Sequence, residues 1–228
     1  MSPDEPVLDP FAIKDCSMIA IATGKRAQSL RDLRQHLNEC DHNTLYYHFW
    51  GGLLRPKFDD PEYHNDFAIW IHRQLHDKIL AERLSLIDPT EFPDMEALRQ
   101  ELMDIIEERL DELEYPLWST RGNHFEFIRS QIVIFNTNYR VEHPFQFTDV
   151  LPSLSVGSVF YHFIDARRRT EESIDDFRSW LLGFGDQYME LCDRIAGIDP
   201  YFSTLSELRA QLTEVFGDYF ENGSNHNG

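Results

Sequence analysis

Tyr47-His48-Phe49 returns later in the chain as Tyr161-His162-Phe163, inside a wider run of matching residues. Upstream, Ser17, Ile19 and Ile21 match Ser130, Ile132 and Ile134. Downstream, Asp66-Phe67 with Trp70 matches Asp176-Phe177 with Trp180, and Ile87-Asp88-Pro89 matches Ile198-Asp199-Pro200. The order is kept throughout, and sustained self-similarity is the sequence mark of a repeated structural unit. The expectation is therefore a tandem duplication of a four- to five-helix unit, its two copies related by a pseudo-two-fold axis. The copies would span residues 11–115 and 125–220, with a linker at 116–124 and flexible termini at 1–10 and 221–228.

The periodicity predicts a mainly α fold with a minor β element. Phe11 to Thr23 and Phe125 to Thr137 alternate β-forming residues and read as short strands. One short strand is not stable alone, so the simplest arrangement pairs the two. Ser29-x-x-Asp32, Ser173-x-x-Asp176 and Thr204-x-x-Glu207 have the spacing of capping boxes, and Asp94 opens a long apolar stripe from Met95 to Leu113. Thr44 and Ser158 read as hydroxyl caps for helices carrying the Tyr-His-Phe triplets. Pro152 predicts a short or bent helix in the second half, and Pro89 and Pro200 predict helix stops just before them.

Composition narrows the function classes. The 228 residues include 17 Phe, 9 Tyr and 4 Trp, enough to fill a sizeable core. A formal charge of -19 opposes phosphate backbones and anionic bilayers, so neither nucleic acid nor membrane is an expected partner. The acidic, proline-bearing start lacks the pattern of a signal peptide, which leads to a cytoplasmic expectation. Cys16, Cys40 and Cys192 are odd in number and widely spaced, as buried free thiols would be.

Candidate chemistry gathers at the repeated triplets. A ligand pocket could be lined by Tyr47, His48 and Asp66 with Arg55, and by Tyr161, His162 and Asp176 with Arg167. Two Tyr-His pairs beside basic loops would suit an anionic small molecule such as a sugar phosphate. The competing reading makes each imidazole a buried, hydrogen-bonded spacer between helices. His72 and His76 have the i, i+4 spacing of metal ligands, but Arg73 stands where a zincin carries its glutamate. Asp59, Asp60 and Glu62 could supply a hard-metal site, but they read first as a solvated acidic loop. No dinucleotide fingerprint, phosphate-binding loop or nucleophile elbow is present, and no cofactor or catalytic residue is expected.

The Ile-rich segment, the Tyr-Tyr-His-Phe-Trp stretch, Asn65-Asp66-Phe67 with Trp70, Leu80-Ala81 and Ile-Asp-Pro followed by Leu-Arg together resemble an uncharacterised bacterial protein family of about this length. The resemblance covers nearly the whole chain and implies an architecture without an activity. The resulting expectation is a non-enzymatic binding or regulatory module for another protein or an anionic metabolite. The alternative is an enzyme or sensor that uses the Tyr-His pairs.

Overall fold

The computed structural model describes residues 8–55, 63–115, 117–120, 122–170 and 172–224. Two long strands, β1 (Phe11–Ala27) and β2 (Phe125–Val141), form a two-stranded sheet. The Thr23 hydroxyl donates to the Phe127 carbonyl at 2.7 Å, and the Thr137 hydroxyl to the Ile13 carbonyl at 2.6 Å. The partner numbers fall along one strand as they rise along the other, so the pairing is antiparallel. The strands form where expected and run four residues past Thr23 and Thr137. All other regular elements are helical, which bears out a mainly α fold with a minor β element.

The duplication does not stand. The chain divides into two compact units that are not consecutive segments: one holds Met18–Ile132, the other Met1–Ser17 with Val133–Gly228. The boundaries at 11–115 and 125–220 therefore do not match the compact units, and the tandem duplication with its pseudo-two-fold axis is not shown. The physical reason is the antiparallel pairing. It sets the end of β1 beside the start of β2, so each unit combines its helices with strand residues from both β1 and β2. A self-match along the sequence follows local motifs and carries no information about which strand end a helix will cover.

In the unit Met18–Ile132, α1 (Leu30–Glu39) starts at a true capping box, with Ser29 and Asp32 bonded to each other's backbone N–H. Then come α2 (His42–Leu54), α3 (Asp66–Trp70) continued by a π-helical turn at Ile71–Leu75, α4 (Lys78–Ser85) and α5 (Met95–Glu112). Asp94 caps α5 through the N–H groups of Glu96 and Ala97. Helix α2 is capped by Asp41 rather than Thr44, which lies inside the helix. Its residues Thr44 to Gly51 are all buried, so it is enclosed on every side rather than amphipathic.

The other unit is more broken. After a 3₁₀ turn come α6 (Phe147–Val150), a second 3₁₀ turn through Pro152, and α7 (Val156–Val159), which passes into a π turn at Phe160–Ile164. Ser155 caps α7 by accepting from the Ser158 N–H, three residues before the expected position. α8 (Asp176–Leu182) is capped by Asp175, since Ser173 sits at a φ of 55° and cannot act as expected. α9 (Met189–Ala196) ends ahead of Asp199-Pro200, and α10 (Leu205–Ser224) follows the Thr204–Glu207 box. Residues 221–224 thus continue a helix. The 117–120 and 122–124 stretch is tied down as well: Trp118 bridges to Ser29, and Asn123 accepts from the Trp70 indole at 2.9 Å.

No helix among the described residues is long and apolar enough to cross a membrane.

Candidate functional site

His48 stands on the buried helix α2 and faces the first residue of α3 on one side and β2 on the other. Its Nδ1 lies 2.9 Å from Asp66 Oδ2, and its Nε2 accepts the Ile128 backbone N–H at 3.1 Å. A donor aimed at Nε2 requires a lone pair there, so the proton sits on Nδ1 and is donated to Asp66. Phe125, Phe67 and Tyr47 surround the ring, with centroids 4.6, 5.2 and 5.3 Å away. Burial pushes the His48 pKa below its ordinary value, against the pull of Asp66. Burial would raise the Asp66 carboxyl, but the His48 hydrogen bond and the Arg55 charge outweigh it and hold the group below its ordinary value. Arg55 closes the set, donating to both Asp66 oxygens at 3.0 and 3.1 Å and covering the Tyr47 ring at 5.0 Å.

The second unit contains a set of the same kind. His162 Nδ1 lies 2.7 Å from Asp176 Oδ2, and Nε2 accepts the Lys14 backbone N–H at 2.9 Å. Phe11, Tyr161 and Phe177 surround this ring. The expected arginine is the wrong one. Arg169 pairs with Asp176 at 3.0 Å and lies 4.0 Å over the Tyr161 ring. Arg167 instead donates to the Phe163 carbonyl and covers the Phe163 ring. Three arginines in a row left that choice open, because only the path of the turn decides which one points back.

Seven of the eight candidate pocket residues, all but Arg167, thus fall into two groups, each inside one unit. Tyr47, His48, Arg55 and Asp66 meet in one, and Tyr161, His162 and Asp176 in the other. In both, the imidazole is at most 3% exposed and has partners at both nitrogens, which leaves it no vacant position for a substrate proton.

The metal candidates fare differently. His72 lies in the π turn and His76 leaves it at a φ of 55°, so the two do not share an α-helical face. Among the described residues no group of three or more His, Cys, Asp or Glu side chains could hold a metal ion. Asp59, Asp60 and Glu62 lie outside the described residues. Cys16, Cys40 and Cys192 are buried free thiols. Burial, then Asp165 and Asp15, push Cys16 up to about 12, far from thiolate chemistry.

A feature the sequence did not point to is a cavity of about 350 Å³ in the unit Met18–Ile132. Ile21, Thr23 and Lys25 of β1 and Phe127 and Arg129 of β2 form one wall, and the α1–α2 corner from Glu39 to Thr44 forms the other. Each residue is ordinary in its own stretch, and no spacing links them.

A model of the family described as Family of unknown function (DUF5752) matches residues 8–217. No curated protein matches the sequence. Among solved structures, OrfY from Thermoproteus tenax is similar, with 25% identity and a TM-score of 0.81 over 94% of this chain and 97% of that chain. That organism is an archaeon, so the likeness to a bacterial family narrows to a family of unknown function with no domain of life attached.

Proposed function

The chain belongs to the DUF5752 family, whose function is unknown, and we propose that it is a non-enzymatic, cytoplasmic binding module whose ligand surface is the cavity of the unit Met18–Ile132. The observation that carries this reading is the full occupancy of both imidazoles. His48 and His162 each spend one nitrogen on a carboxylate and the other on a strand N–H, so they fasten a helix to a strand and have nothing left for catalysis. An enzyme or sensor for an anionic metabolite built on the Tyr-His pairs would need at least one of those nitrogens free. The cavity offers no activated nucleophile in their place, because burial raises the Cys40 thiol and its Sγ donates to the Leu37 carbonyl. Three free thiols also suit a reducing compartment.

Native mass spectrometry after incubation with a metabolite extract tests the proposal. The expected result is a small molecule carried at unchanged mass, with the composition of the extract unaltered. Turnover of any extract component, or a protein that emerges with nothing bound, overturns it.

A further inference from the structure

The polar groups lining the cavity can be counted against the partners they already have. The Thr23 hydroxyl donates to the Phe127 carbonyl and accepts from the Lys25 N–H. The Lys25 ammonium is 3.1 Å from Glu39, and these two charges cancel. The Cys40 thiol is bonded to Leu37. Three groups remain. The Arg129 guanidinium makes no ion pair among the described residues. Asp41 spends one carboxylate oxygen on the Asn43 N–H, at 2.7 Å, and its other oxygen makes no hydrogen bond among the described residues. Thr44 lines the cavity, and its hydroxyl makes no hydrogen bond among the described residues. It is not spent on capping, because the capping role that its position suggested belongs to Asp41.

A guanidinium and a carboxylate with no ion pair among the described residues, a hydroxyl and an apolar wall of Ile21, Ala22 and Phe127 define a ligand. The volume is at the small end of ligand pockets, which run from roughly 300 to 1,000 Å³. That excludes a dinucleotide or an extended peptide. A phosphate dianion would meet two lining carboxylates, Glu39 and Asp41, with only Arg129 unpaired to neutralise it. We propose that the cavity binds a free α-amino acid with an apolar side chain, resting on the binding-module reading above. The carboxylate is taken by Arg129 with the Thr44 hydroxyl, the ammonium by Asp41, and the side chain by the apolar wall. Opposite charges on the ligand meet opposite charges on the lining, and neither is left unpaired on closure.

Calorimetric titration of the full chain with the apolar L-amino acids, L-leucine and L-phenylalanine among them, tests this. Parallel titrations use 4-methylpentanoate, isoamylamine and inorganic phosphate. The expected result is binding of at least one amino acid and much weaker binding of the analogues that lack one charge. Arg129→Gln and Asp41→Asn should each weaken that binding about ten- to a hundredfold. Asn remains a good helix cap, so Asp41→Asn should keep its melting temperature and separate a lost contact from a lost fold. Equal binding of 4-methylpentanoate with no effect of Asp41→Asn overturns the zwitterion, as does phosphate binding stronger than any amino acid. If no amino acid binds while the extract experiment still delivers a bound molecule, the ligand class is wrong and the module reading survives. If both experiments find nothing, both readings fall.

Discussion

His48 shows how a single side chain can set acid sensitivity. Its pKa lies below the ordinary 6.5 because burial disfavours the imidazolium, and Arg55 adds to that from beyond Asp66. As pH falls below about 6.5 the unfolded chain takes up this proton before the folded one does. The stabilisation is therefore complete above that pH and declines as pH falls towards the lowered folded value. Asp66, also lowered from its ordinary 3.8, adds a second loss only in stronger acid. Urea denaturation near pH 8 and near pH 5.5 should show a larger fall in stability for the native chain than for His48→Gln. Equal falls would mean that this imidazole is not held neutral. His48→Ala at neutral pH should cost about 1–3 kcal/mol, because it strands the Ile128 N–H and one face of Asp66. Tyr47 is a wall of its site rather than an acid: burial raises its hydroxyl despite Arg55.

At the scale of elements, the two tryptophans that match in sequence differ in burial. Both indoles donate to a backbone carbonyl and pack on a strand phenylalanine, but Trp70 is 7% exposed while Trp180 is only partly buried. Trp70→Ala should cost about 3–5 kcal/mol and Trp180→Ala clearly less, as read by chemical denaturation. Equal costs would show that exposure is a poor guide here. Two glycines give the opposite comparison. A Cβ at Gly157 would sit 2.2 Å from Asp15 Oδ1 and 2.4 Å from the Cys16 carbonyl, so α7 lies directly on β1 only because that side chain is missing. Gly157→Ala should therefore destabilise by about 1–3 kcal/mol. Gly217, inside α10, has nothing within 4 Å of its added Cβ. Gly217→Ala should stabilise by about 0.5–1 kcal/mol through helix propensity alone. Melting curves that moved the same way for both would refute the packing argument.

For the whole molecule, the consequence of antiparallel pairing is that β1 serves two units in turn. Phe11, Ile13 and the Lys14 N–H belong to the unit containing His162, whereas Ile21 to Lys25 belong to the one containing His48. Removal of residues 1–17 should abolish hydrogen-exchange protection of the Phe160–Ile164 turn and leave that of α2 largely intact. Equal loss in both would show that the units unfold as one. Much of this was open to reading in the sequence. Period-2 alternation marked both strands, Ser29-x-x-Asp32 and Thr204-x-x-Glu207 marked two helix starts, and Pro152 marked the broken helix, since each reports a preference local to a few residues. The caps at Asp41, Ser155 and Asp175 were missed because a nearby hydroxyl offered the same chemistry two or three residues away. The sequence by itself determined the secondary structure, the apolar setting of His48 and His162, and the absence of any nucleophile motif. Only the tertiary structure decided which strand end each helix covers, that Arg169 rather than Arg167 reaches Asp176, and that Arg129, Asp41 and Thr44 share a cavity. Those outcomes depend on contacts between residues tens of positions apart, fixed by chain closure and packing rather than by any local preference.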